Sequence, residues 1–90
     1  MAKVKFTSAL KRFFPLLTDI EIEGSTVKEI LFNAEKIHPG ISSYLVDDHG
    51  SLRTHLNIFI KGDLISDRQT LKDKVNHSDE LLIFQALSGG

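Results

Sequence analysis

The chain has 90 residues, a formal net charge of −1, 41% hydrophobic and 26% charged residues, and no cysteine. That is one domain's worth of globular sequence with a radius of gyration of roughly 12 Å when compact, and it excludes disulfides, thiolate metal sites and a cysteine nucleophile. Near-neutral charge gives no case for nucleic acid or an anionic membrane as partner, and no apolar run approaches the ~18 residues of a membrane span. Met1-Ala2-Lys3-Val4-Lys5 is not followed by an apolar core of signal-peptide length, so the expectation is a soluble cytoplasmic protein.

Lys3-Val4-Lys5-Phe6-Thr7 alternates polar with apolar and reads as a half-buried strand with Val4 and Phe6 inward. Residues 8–17 are less regular, and Pro15 breaks any helix through that point, so a short helical turn or loop is expected to pack on the core. Asp19-Ile20-Glu21-Ile22-Glu23 alternates again, with Gly24 as the turn that follows. About a dozen residues separate these two strands, which suits an antiparallel pair with a long connection.

Thr26 and Glu29 have the spacing of a capping box, and Val27, Ile30, Leu31, Ala34 and Ile37 recur as one helical stripe that ends at Pro39-Gly40. Residues 41–46 fit a helical turn or an extended piece, and Asp47-Asp48-His49-Gly50-Ser51 is a loop by composition. A strand is expected over 54–61, with Leu56, Ile58 and Ile60 on one face and His55, Asn57 and Phe59 on the other. Gly62-Asp63 reads as a hairpin turn of the II′ form into Leu64-Ile65, residues 70–73 as one turn of helix, and His77-Ser78-Asp79 as a turn. The last strand covers 80–85. Alternating strands around one main helix predict an α+β fold, a mixed sheet with that helix on one face and the other face largely solvated.

Chemistry-bearing constellations are sparse. His38, His49, His55 and His77 are scattered without metal-ligand spacing, and no metal site is expected. Neither a phosphate loop, a nucleophile elbow nor a Ser-x-x-Lys with its partners occurs. Asp47-Asp48 beside Gly50 read as loop formers. Lys3, Lys5, Lys11 and Arg12 precede the first acid at Asp19; they form a solvated basic face or a dock for an acidic partner. Phe59, opposite the helix side, joins two large apolar groups of the last strand, either Leu81 and Ile83 or Leu82 and Phe84. That patch is a partner surface, or it is covered by the loop carrying Phe13, Phe14, Leu16 and Leu17.

After the last strand come Ala86, Leu87, Ser88, Gly89 and Gly90. The hydrophobic pattern is complete without them, so residues 1–86 are read as the domain and 87–90 as a flexible tail. Two glycines make a neck thin enough for a channel that side chains would block. Extended at 3.3–3.6 Å each, the five residues reach about 17 Å, enough to carry the Gly90 carboxylate into another protein's active site.

The order and spacing of these pieces resemble the ubiquitin-like β-grasp sulfur carriers, the family of the molybdopterin synthase small subunit and the thiamin sulfur carrier. Val4-Lys5-Phe6-Thr7-Ser8-Ala9-Leu10-Lys11 is similar to the family's opening strand and turn, and Thr26-Val27-Lys28-Glu29-Ile30-Leu31 to its helix start. Asn57-Ile58-Phe59-Ile60-Lys61-Gly62 looks like its central strand, and Gly89-Gly90 matches its end. The resemblance implies a non-catalytic protein cosubstrate that binds no cofactor. An E1-like activating enzyme would use ATP to adenylate Gly90, and a sulfur donor would convert the adenylate to a thiocarboxylate for a sulfur-accepting biosynthetic enzyme. Gly89 would be the neck and Leu87 and Ser88 its adjoining contacts; the strand alternation, separately, makes Phe59, Leu82 and Phe84 the expected partner-binding face. Many relatives carry Pro and Ala before the glycines, where this chain has Leu87-Ser88. Residues 41–53 and the strand around Phe59 look more like carriers serving cysteine or related amino-acid biosynthesis. The alternative class is a ubiquitin-like modifier or interaction module, conjugated or bound through its C-terminus.

Overall fold

Alternation along Ala2–Phe6 (β1) buries Ala2, Val4 and Phe6 and leaves Lys3 and Lys5 on the opposite face. In the computed structural model the described residues are 1–15 and 17–85. Ile20–Ile22 (β2) pairs antiparallel with β1, with Val4 opposite Ile20. Between them the helix Ser8–Phe13 (α1) occupies the long connection. Leu56–Ile60 (β3), the two-residue Asp63–Leu64 (β4) and Glu80–Gln85 (β5) complete a five-stranded sheet in the order β2-β1-β5-β3-β4. β1 and β5 run parallel at its centre, and the other neighbours are antiparallel. The Cα radius of gyration is 11.9 Å, as the length predicts.

The inner face of the sheet carries Val4, Phe6, Leu56, Ile58, Leu81 and Ile83, all buried against the main helix Val27–Ile37 (α2) and the short helix Ile41–Leu45 (α3). The register thus decides between the two pairs of β5: Leu81 and Ile83 face in, Leu82 and Phe84 face out. This is the ubiquitin-like β-grasp architecture, a mixed sheet with its helices on one side.

Thr26 caps α2, its hydroxyl oxygen accepting from the Glu29 amide at 3.2 Å. The Glu29 carboxylate bonds back one residue earlier than a regular capping box, to the Ser25 amide at 3.0 Å. Val27, Ile30, Leu31 and Ala34 are buried as expected, but Ile37 is 50% exposed, because the helix ends at His38 before its last turn reaches the core. Residues 41–46, open from sequence, start as a helix for an identifiable reason. The Glu35 carboxylate accepts from the amides of Gly40 (2.8 Å) and Ser42 (2.9 Å), satisfying donors at the start of α3. Those bonds, Gly40's first, hold the Glu35 carboxyl below its ordinary range.

Two expectations shift. The β3–β4 turn is Lys61-Gly62, not Gly62-Asp63: Ile60 pairs with Asp63, and both turn residues have positive φ (54° and 88°). Positive φ at both positions is the I′ pattern, whose twist matches the flanking strands, rather than II′. Nor do residues 70–73 form a helical turn. The chain turns at 68–70 around Asp67, and Leu71 leaves at φ 58°, which stops any helix. Strand ends are also trimmed, β2 and β3 being shorter than the alternation alone indicates.

Candidate functional site at the outer sheet face and the root of the tail

The period of two leaves large apolar groups on the sheet face away from the helices. Phe59 stands opposite Leu82 in the β3–β5 register, and Asn57 opposite Phe84. The Phe59 and Phe84 rings meet edge-on at 87° with centroids 6.4 Å apart. Phe59 and Leu82 are half-buried by each other, and Phe84 is 38% exposed. Leu64, the β4 partner of Phe59, extends the patch and is 54% exposed. Phe59, Leu82 and Phe84, with Gly62 and Glu80, line a shallow apolar hollow.

The loop expected as a possible cover does not lie over this face where it is described. Leu17 is buried in the core, and Phe14 packs edge-on to Tyr44 of α3 at 5.6 Å. Leu16 and the Phe13 side chain lie outside the described residues.

The rim is charged but mostly balanced. Lys5 pairs with Glu80 at 3.3 Å, and Lys11 with Asp19 at 3.7 Å, so the basic opening segment is partly neutralised by its neighbours. Arg12 of α1 lines a groove with Thr7, Ser8, Ala9, Phe84 and Gln85, at the end of β5.

That strand end is firmly held. The Gln85 amide donates to the Thr7 hydroxyl oxygen at 3.2 Å, and the Tyr44 hydroxyl donates to Gln85 Oε1 at 2.9 Å. The Tyr44 ring makes edge-on contacts with the rings of Phe14 at 5.6 Å and His55 at 6.4 Å. Leu87, Ser88, Gly89 and Gly90, the expected reactive tail, and the expected domain boundary after residue 86 lie outside the described residues. The structure brings Phe59, Leu82 and Phe84 together on one face and places the end of β5 beside it. Thr7, Tyr44 and Gln85 were not singled out from sequence. Tyr44 belongs to a segment 41 residues from Gln85, and local patterns carry no such pairing. The available signal was chemical, because the chain's single tyrosine needs a hydrogen-bond partner once its ring is packed.

Among the described residues no three His, Asp or Glu side chains converge as a metal-holding group. No helix there is long and apolar enough to cross a membrane.

The ThiS family model matches residues 4–90. A chain in the crystal structure of the Amycolatopsis orientalis BexX/CysO complex is 26% identical, with a TM-score of 0.86 and complete coverage of both chains. SAMP1 from Haloferax volcanii is 25% identical over 99% of this chain and 98% of its own, with a TM-score of 0.77. Mycobacterium tuberculosis CysO, at 20% identity, shares the fold with a TM-score of 0.80 over 97% of this chain and all of its own. A search of curated protein sequences finds no match. With a family match across nearly its whole length, on a ubiquitin-like fold, this chain belongs to the ThiS family of small sulfur-carrier proteins.

Proposed function

We propose that this chain is a cytoplasmic sulfur carrier whose Gly90 carboxylate is activated and sulfurated by a partner. The observation that carries the reading is the family match, which runs through Gly89-Gly90. A carboxylate is an inert anion at neutral pH and needs activation before it accepts sulfur. An E1-like adenylating enzyme supplies this by joining the Gly90 carboxylate to AMP from ATP, with release of pyrophosphate. Sulfide, or a persulfide reduced to that level, displaces AMP and leaves a thiocarboxylate. The activating enzyme docks on Phe59, Leu82 and Phe84 while Leu87, Ser88 and Gly89 occupy its channel. A cysteine-type or related amino-acid pathway receives the sulfur, a reading supported by the likeness to the CysO complex.

The test is intact mass after incubation with the activating enzyme, ATP and sulfide. The expected gain equals one oxygen exchanged for sulfur, mapped to Gly90. Removing Gly90, or adding one residue after it, abolishes the gain and leaves the fold unchanged; an extended protein that still accepted sulfur would overturn the reading. The likeness to SAMP1, a small archaeal modifier protein, favours a second reading, in which Gly90 forms an isopeptide with lysines of other proteins. Lysine-linked adducts carrying the residue 75–90 remnant in tryptic digests of the host's proteins, with no sulfur gain, would establish that reading instead.

A further inference from the structure

We propose that Tyr44 is a positioning residue that fixes where, and in which direction, the chain leaves the sheet towards Gly90. The inference rests on the carrier reading above for its functional consequence, and on the following geometry for its substance. β5 belongs to the sheet through Gln85, which pairs with Leu56 of β3. At this last rung the two neighbouring layers close on one residue. The Thr7 hydroxyl takes the Gln85 backbone amide at 3.2 Å, and the Tyr44 hydroxyl takes its side-chain oxygen at 2.9 Å.

These contacts come from different elements. Thr7 follows β1 and begins the turn into α1, and its own amide bonds to Ile83 at 3.2 Å. Tyr44 reaches over from α3, in edge-on contact with the Phe14 and His55 rings at 5.6 and 6.4 Å. A tyrosine in edge-on contact with two other rings and hydrogen-bonded through its hydroxyl has little rotamer freedom left, so its hydroxyl is a fixed point. A glutamine at a strand end would otherwise be free to turn, and the direction of the following residues with it.

The five residues after Gln85 reach at most about 17 Å when extended. A small change of direction at the root then displaces the far end by several times as much. Holding the root removes orientations that cannot enter the partner's channel, and such preorganisation acts on the productive complex more than on docking. The contact therefore belongs to turnover, while the aromatic sheet face belongs to affinity.

The experiment is steady-state sulfuration, read by intact mass, with the full chain, its adenylating enzyme, ATP and sulfide. Tyr44→Phe keeps the ring and its packing and removes only the hydroxyl. The expected result is a kcat lowered about 5-fold with KM within twofold, the size of one hydrogen bond's loss. Gln85→Met should do the same, Gln85→Glu should restore most of the rate by keeping an acceptor oxygen, and Tyr44→Phe with Gln85→Met should be no worse than either alone. Backbone amide exchange at Gln85 should quicken in Tyr44→Phe while Ile83 is unchanged. Unaltered kcat in Tyr44→Phe, or losses that multiply in the double variant, would overturn the positioning role. Absence of any sulfur gain in the unsubstituted protein would instead overturn the carrier reading, and amide exchange would then decide whether the hydroxyl holds the strand end.

Discussion

Asp67 shows how much one carboxylate organises. It accepts from the Thr70 hydroxyl and from the amides of Thr70 (2.8 Å), Gln69 (3.1 Å) and Lys72 (3.2 Å). The Thr70 hydroxyl leads these contacts in lowering the Asp67 carboxyl to about 2. The turn delivers Leu71, at φ 58°, into the core with 2% exposure, while its carbonyl accepts from Lys28 at 2.8 Å. A left-handed leucine costs about 1–2 kcal/mol, which burial of its side chain, at about 1.5–3 kcal/mol, offsets. Because the folded carboxyl titrates below its unfolded value, its stabilisation is complete above about pH 4 and is lost as pH falls through about 2. Asp67→Asn keeps one acceptor oxygen without the charge. Its urea midpoint should lie below that of the unsubstituted protein at pH 6, with the gap closing between pH 4 and pH 2. A gap independent of pH would assign the loss to turn geometry instead of charge.

Helix α2 is where sequence and structure agree best, because its information is local. A cap residue, a 3.6-residue apolar stripe and a Pro-Gly stop all lie within 15 residues, and none needs a distant partner. Thr26→Ala removes the oxygen that accepts from the Glu29 amide at 3.2 Å, and it should cost about 1 kcal/mol. In a domain of this size that lowers the melting temperature by about 4–8 °C, measurable by circular dichroism. Retention of the melting temperature would mean that the Glu29–Ser25 bonds alone hold the helix start. Elements that depended on a reach of several residues were harder to read. Helix α3 begins where Glu35 from the preceding helix meets Gly40 and Ser42, and a periodicity argument has no place for that contact. The β3–β4 turn shifted by one residue because Lys61 adopts positive φ, a conformation that composition assigns to glycine first.

At the scale of the whole molecule, the two sides of the sheet differ in what they contact. Val4, Phe6, Ile58, Leu81 and Ile83 hold the helices, and Phe59, Leu82 and Phe84 face outwards although nothing in the folding of the inner side requires them to be large. This outer patch was legible because strand alternation fixes sides. The hold on Gln85 was not, because it joins three distant parts of the chain. Aromatic anchors on a small interface commonly carry 2 kcal/mol or more each, roughly a 30-fold change in affinity. On the proposed carrier reading, Phe59→Ser and Phe84→Ser should each weaken binding to the adenylating enzyme by about that factor, measured by calorimetry, with far-ultraviolet circular dichroism unchanged. Phe32→Ser is the control. That ring is 64% exposed on α2, on the helix side, with Lys36 4.8 Å from its centroid, and its loss should leave binding unchanged. If Phe32→Ser weakened binding while the two sheet variants did not, the partner would dock on the helix side and the outer sheet face would not be its interface.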